Sequence, residues 1–231
     1  MKRKIITTAD GSKTIQIEDW NEQYHSIHGA IQEANHVFIK HGLLFCNSQF
    51  QTKVSHRPIN IMEIGFGTGL NAFLTLLKST ELDVFVHYTG IEAYPVSQEE
   101  IQELNYVELI DPNYISEFDA LHKTNWEEWS VITSKFNLMK EQKFFNAVES
   151  QNHFDLIYFD AFGARVQPDL WTEDIFQKMF RALKPNGVLV TYSAKGSVRR
   201  AMQASGFEVE RLPGPPGKRE MLRALKSSYS R

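Results

Sequence analysis

Three short runs of this 231-residue chain carry residue types and spacings that can do chemistry. The first is Met62-Glu63-Ile64-Gly65-Phe66-Gly67-Thr68-Gly69-Leu70-Asn71, where glycines recur at every second position directly after an apolar segment. Glycine lets a chain turn sharply and lets a ligand approach the backbone with no Cβ in the way. A helix opening after such a loop offers free N–H groups suited to a carboxylate or phosphate. The second is Glu92, which closes the segment Tyr88-Thr89-Gly90-Ile91 and can there accept both hydroxyls of a ribose. The third is Asp160-Ala161-Phe162-Gly163, an acid that ends the most apolar segment of the chain. A carboxylate in that position can take a proton from a nucleophile or hold its geometry.

The elements needed to position these groups are legible in the pattern. From Pro58 the chain alternates strand and helix: strand Ile59 to Ile64, helix Leu70 to Lys78, strand Val84 to Ile91, and a capping box at Ser97 and Glu100 that opens another helix. Phe136 to Met139 forms a further strand, and Phe154 to Phe159 is apolar on both faces, as a buried parallel strand requires. Asp174 to Leu183 is helical, with Thr172 as its N-cap. Val188 to Tyr192 is a strand and Ser197 to Ala204 a helix. Gly206 to Leu212 and Glu220 to Leu225 flank Pro213-Gly214-Pro215-Pro216-Gly217 too closely for a parallel return, so they pair antiparallel. Before Pro58, Ile5 to Thr8 and Thr14 to Ile17 flank an Asp10-Gly11 turn, and a helix runs from about Ala30 to His41 with Gly42 as its stop. The expected fold is α/β: a doubly wound, Rossmann-like, mostly parallel seven-stranded sheet with an antiparallel C-terminal hairpin. The expected division is an N-terminal extension over 1–57 and the main domain over 58–231.

The spacing in the glycine loop separates two ligand classes. A dinucleotide fingerprint wants Gly-x-Gly-x-x-Gly, but the third position after Gly67 is Leu70. Glu-x-Gly-x-Gly-x-Gly instead matches the usual loop of class I S-adenosylmethionine-dependent methyltransferases. Glu63 and Glu92 stand 29 residues apart, longer than the roughly 20 of the dinucleotide motif, a difference the intervening helix and loop can absorb. The other readings are an aminopropyltransferase, whose loop is usually richer in glycine and acids, and a cofactor-binding accessory protein without catalysis.

Composition bounds the rest. The hydrophobic fraction is 42%, the charged fraction 23%, and one cysteine, Cys46, excludes an internal disulfide and a Cys-rich zinc site. No apolar run approaches the roughly 20 residues of a membrane span, so the expectation is a cytoplasmic protein with no membrane and no metal. The net charge is −3, but residues 195–231 hold nine Lys/Arg against three acids. A basic C-terminal end on an acidic body is compatible with a polyanionic partner or with a solvated surface. Lys218 and Arg219, at the end of the proline-glycine loop, can clamp phosphate or a cofactor carboxylate.

Beyond the glycine loop, the chain holds Tyr24-His25-Ser26, Gly29-Ala30, Val37-Phe38-Ile39, Asp160-Ala161-Phe162 and Gln167-Pro168-Asp169-Leu170-Trp171-Thr172. It continues with Thr191 to Gly196, Val198-Arg199-Arg200 and Gly217-Lys218-Arg219-Glu220-Met221. Together these resemble the methyltransferase domain of the bacterial bifunctional enzyme that completes 5-methylaminomethyl-2-thiouridine at the tRNA wobble position. The resemblance covers most of the chain. It implies N-methylation of the primary amine of 5-aminomethyl-uridine in tRNA, with S-adenosyl-L-methionine as cofactor. Glu63, Gly65, Phe66, Gly67, Thr68, Gly69, Asn71 and Glu92 would contact the cofactor, Asp160 would sit by the amine, and Tyr24, Trp171, Lys218 and Arg219 would face the substrate. The flavin-dependent oxidase domain of that enzyme has no room here, which implies a stand-alone methyltransferase fed by upstream tRNA-modification enzymes. The usual Gly-Asp before the fourth strand is not evident, and Glu141 is the nearest acid for an adenine contact. The rival substrate class is a small-molecule or protein amine.

Overall fold

The computed structural model describes residues 2–51 and 57–228; Arg231, part of the basic C-terminal count, lies outside them. An N-terminal three-stranded sheet comes first, from β1 (Arg3–Thr7), β2 (Lys13–Ile17) and β3 (Glu22–Gln23), in antiparallel pairs. Its first turn is the expected Asp-Gly one: Thr7 pairs Lys13 across it, and Gly11 has φ +83°. Helix α1 (Ala30–Ala34) then runs into a π-helical stretch (Asn35–Leu44) and on into α2 (Phe45–Gln51).

The helix therefore passes through Gly42 rather than stopping there. A Cβ on Gly42 would lie 3.0 Å from both the Tyr158 ring and a Val190 methyl. The glycine is there so that the helix can rest directly on the sheet. Val37, Phe38, Ile39 and Leu43 of the same stretch are buried in the cluster that holds the sheet strands.

The main sheet follows, built from β4 (Ile59–Ile64), β5 (Val86–Ile91), β6 (Ser130–Thr133), β7 (Phe136–Glu141), β8 (Phe154–Phe159), β9 (Leu183–Thr191), β10 (Glu208–Pro213) and β11 (Glu220–Leu225). Between β4 and β5 lies α3 (Leu70–Glu81). The β5–β6 connection holds α4 (Gln98–Gln102), α5 (Tyr106–Ile110) and α6 (Ile115–Lys123). Helix α7 (Glu173–Ala182) precedes β9, and α8 (Gly196–Ala204) precedes β10. The capping box is present: the Ser97 hydroxyl accepts from Glu100 N–H, and the Glu100 carboxylate accepts from Ser97 N–H. Thr172 stands at the N-cap of α7, but its hydroxyl donates to the Asp169 carbonyl instead of capping the helix.

The strand order is β10-β11-β9-β8-β4-β5-β7-β6, eight strands rather than the expected seven. The added one is β6, an antiparallel edge strand. With Val131 at 75% exposure, its side chains follow no core-facing alternation, so no hydrophobic pattern marked it. The inner strands β4, β5, β7, β8 and β9 are parallel, and β11 closes antiparallel on β9. The chain reverses its winding at β4, which lies between β5 and β8, and ligands of such sheets bind at the carboxyl ends of the strands at this point. At the opposite end, buried Asp155 fastens β8 to its neighbours. It accepts two hydrogen bonds from Arg57 at 2.9 Å, one from Asn60 N–H at 2.9 Å and one from Lys184 at 3.0 Å.

Candidate active site

The carboxyl ends of β4, β5 and β8 open into one cavity of about 630 Å³, a size ordinary for a cofactor site. The loop after β4 crosses it in positive-φ steps, at Gly65 (φ +92°) and Gly67 (φ +49°). A Cβ on Gly65 would stand 2.7 Å from the Asp160 carbonyl oxygen, and one on Gly67 would meet the Tyr24 ring at 3.0 Å. The first glycine thus lets β4 run close beside the end of β8. The second lets the N-terminal extension lie on the loop.

Glu92, immediately after β5, ties this loop down. One carboxylate oxygen accepts from Gly67 N–H at 3.1 Å and the other from Tyr94 N–H at 2.9 Å. The residue is buried, and burial raises its pKa against those backbone hydrogen bonds. Deeper in, Asn71 bridges two acids. Its amide nitrogen donates at 2.8 Å to Glu63 and at 2.8 Å to Asp160. Tyr88 adds a donor to Glu63 at 2.8 Å. Burial first, and the nearby Asp160 second, push Glu63 well above the usual carboxylate range. Burial and then Glu33 raise Asp160 to about 7, while Asn71 and Lys218 oppose them. Burial thus favours the protonated form of both acids, and Asp160, at about 7, is a proton acceptor poised near neutrality.

The cover comes from the first thirty-odd residues. Tyr24 packs edge-on against Phe162 at 4.9 Å, with the Arg3 guanidinium 5.7 Å from its ring. Below it, His25 is buried: Thr14 lies 3.0 Å from Nδ1 and Thr68 3.4 Å from Nε2. Burial lowers its pKa to about 4, so the ring is a neutral strut between the extension and the glycine loop.

The cavity brings together Glu63, Gly65, Phe66, Gly67, Thr68, Asn71, Glu92, Asp160, Tyr24 and Lys218. Three of the expected site residues do not line it. Gly69 lies behind the loop against His122. Trp171 is buried one layer back; its indole N–H donates to the Phe162 carbonyl at 2.8 Å, which fixes the wall rather than forming it. Arg219 is exposed outside. Lys218 points inward, its ammonium 2.6 Å from Glu33 and 3.8 Å from the centre of the Tyr192 ring. Glu141 pairs with Lys143 at 2.7 Å instead of lining the cavity, where Tyr94, Phe144, Phe145 and Asn146 form the rim beyond Glu92. Sequence reasoning missed Glu33, Tyr192 and Phe162. Phe162 sits inside the Asp160 motif and Tyr192 inside the Thr191 to Gly196 run, so both could have been found there, whereas nothing local marks Glu33.

The switch-point cavity, glycine loop and strand-end acids define a class I transferase built for a nucleoside-bearing cofactor. The chain belongs to the S-adenosyl-L-methionine-dependent methyltransferase family whose model matches residues 106–227. That match includes Asp160, Tyr192 and Lys218, while the glycine loop precedes it. The tRNA 5-methylaminomethyl-2-thiouridine biosynthesis bifunctional protein MnmC of Hydrogenovibrio crunogenus is 28% identical over 230 residues, covering 95% of this chain and 33% of that protein. The same-named protein of Leptospira interrogans is 28% identical over 212 residues, with 89% and 32% covered. The chain thus spans about a third of the length of these relatives. The crystal structure of MnmC2 from Aquifex aeolicus has the same fold, with a TM-score of 0.73 at 23% identity over 100% of this chain and 72% of that one.

The residues present fit S-adenosylmethionine. Asn71 Oδ1 is buried without a hydrogen-bond partner in a cavity-lining residue, an acceptor left over for an amino group. Glu92 adds acceptor capacity beside the loop for a pair of hydroxyls. Among the described residues no helix is long and apolar enough to cross a membrane, and no three His, Cys, Asp or Glu are grouped to hold a metal.

Proposed function

We propose that this methyltransferase acts on the primary amine of a 5-aminomethyl-uridine, with or without a 2-thio group, at the wobble position of tRNA. The observation that carries the reading is Asp160: a carboxylate held by Asn71 at 2.8 Å, raised to about 7, at the inner end of a cavity walled by aromatic rings. The relatives are named for tRNA 5-methylaminomethyl-2-thiouridine biosynthesis, and that supplies the substrate.

Glu63, Gly65, Phe66, Gly67, Thr68, Asn71 and Glu92 hold the cofactor in this proposal, with Glu92 on the ribose and the Asn71 acceptor on the amino acid end, while Gly69 shapes the loop from behind. S-adenosylmethionine, when bound, supplies an electrophilic methyl group on a positively charged sulfur. A primary amine is protonated near neutrality and has no lone pair to offer. Asp160 takes that proton, and the freed nitrogen forms its bond to the methyl carbon as the carbon–sulfur bond breaks. Asn71 keeps the carboxylate aimed, while Tyr24 and Phe162 exclude water from the reacting atoms. Trp171 acts on the substrate through Phe162. Arg165, Lys195 and Arg219 are exposed and offer the tRNA phosphates their cations. Residues 1–57 serve as the covering extension and 58–231 as the methyltransferase domain. The reaction is cytoplasmic, and upstream tRNA-modification enzymes make the amine.

The test is methyl transfer to tRNA bearing 5-aminomethyl-uridine beside the same tRNA without it. Labelling of the first alone is expected. Equal labelling of both, or of neither, overturns the substrate assignment.

A further inference from the structure

Lys218 reaches into the cavity and is held there by two partners. Its stem comes from the β10–β11 loop, and its ammonium donates to the Glu33 carboxylate at 2.6 Å while resting 3.8 Å from the Tyr192 ring centre. Glu33 is 6% exposed and belongs to α1, and Tyr192 follows β9. The ring is locked, because its hydroxyl donates to the Ala161 carbonyl at 2.8 Å. A carboxylate facing an aromatic ring is a complete ammonium site: the acid supplies a charge-assisted hydrogen bond and the ring face its quadrupole. Glu33 sits on a helix and the Tyr192 ring is pinned by its hydroxyl, whereas the lysine between them hangs on a four-carbon stem from an irregular loop.

The chemistry of that occupant matters. A lysine side chain ends in a methylene bearing a primary ammonium, and so does an aminomethyl group on a base. The same box lines the cavity that holds Asp160. Glu33 acts on Asp160 electrostatically, which places the box within reach of the proton acceptor.

We infer that Glu33 and the Tyr192 ring form the docking subsite for the substrate's ammonium, and that Lys218 is an internal stand-in which the substrate displaces. This rests on the primary-amine reading above. The displaced lysine turns outward as the incoming ammonium takes over Glu33, so the buried acid is never left without a cation. Selectivity follows: a neutral group in place of the amine cannot replace Lys218, and the box stays closed to it.

Calorimetric titration of the full chain with the nucleoside 5-aminomethyluridine, and with uridine as the control, tests this. Lys218→Met is expected to bind the amine nucleoside about tenfold more tightly than the unaltered chain does, since no internal ammonium competes. Glu33→Gln is expected to bind it about tenfold more weakly, Glu33→Asp to recover part of the loss, and uridine to bind all variants alike. Cofactor affinity and thermal midpoint, measured on the same samples, report folding. Loss of amine affinity in Lys218→Met, or equal shifts for both nucleosides, overturns the inference and makes the pair a structural ion bridge. The two proposals fail separately. Amine-selective gain in Lys218→Met without methylation of aminomethyl-tRNA sinks the tRNA assignment alone. Methylation with no such gain sinks the stand-in alone.

Discussion

Replacing Asp160 by asparagine keeps the side chain's shape and removes its capacity to take a proton. With a midpoint of about 7, the carboxylate is about 9% ionised at about pH 6 and about 91% ionised at about pH 8. Its contribution to kcat/KM therefore rises about tenfold across that interval. The substrate amine titrates too, but equally in both proteins, so the informative quantity is their ratio at each pH. Unaltered enzyme over Asp160→Asn should climb about tenfold between about pH 6 and about pH 8, on top of an overall loss of about 100- to 10,000-fold. Stability supplies an independent check with the sign worked out. The folded pKa lies above the ordinary 3.8, so the folded state holds the proton longer than the unfolded chain does. Stability is then lost as pH rises from 3.8 to about 7, by about 4 kcal/mol at most, because Asp160 keeps some solvent contact. Asp160→Asn should melt at the same temperature as the unaltered protein near about pH 4 and higher above about pH 7. Methyl transfer to aminomethyl-tRNA across pH, with thermal melting in the same buffers, reads both. A flat activity ratio refutes Asp160 as the proton acceptor, and a flat melting difference refutes its raised pKa.

Glu92→Ala removes the acceptor that holds Gly67 N–H and Tyr94 N–H, and calorimetry with S-adenosylmethionine should show affinity falling by about 2 kcal/mol or more; unchanged affinity removes Glu92 from the cofactor site. Gly42→Ala forces a methyl to within 3.0 Å of Tyr158 and Val190, and should destabilise the fold by about 1–3 kcal/mol in urea titrations while the protein still binds cofactor.

The alternation of strands and helices was readable because strands such as β4 and β8 are apolar runs buried in the sheet and the helix after β5 opens on the Ser97-Glu100 box, whereas α5 and α6 carry no side-chain cap to announce them. Glu63, Glu92 and Asp160 were readable for the same reason: strand ends at a switch point are where ligands sit, so an acid there declares itself. Strand β6 was not, since an edge strand with Val131 largely in water has no burial pattern to print on its sequence. Gly42 looked like a helix stop because local spacing shows a glycine after an amphipathic run, and only the approach of Tyr158 and Val190 shows what it permits. Lys218 read as a substrate-facing cation and does line the cavity, but its pairing there was not legible. Its partner, Glu33, lies 185 residues away, and the acid itself falls on a helix position that reads as polar.

That separation also governs assembly. The cavity floor, from Glu63, Asn71 and Asp160, arises when adjacent parallel strands meet. Its roof joins the first part of the chain to the last, since Glu33 meets Lys218 across 185 positions and Arg3 meets Glu100 across 97. Contacts of such long span carry the largest closure entropy and tend to form late. The roof contacts therefore carry a higher closure cost than the helices and hairpins of the same molecule.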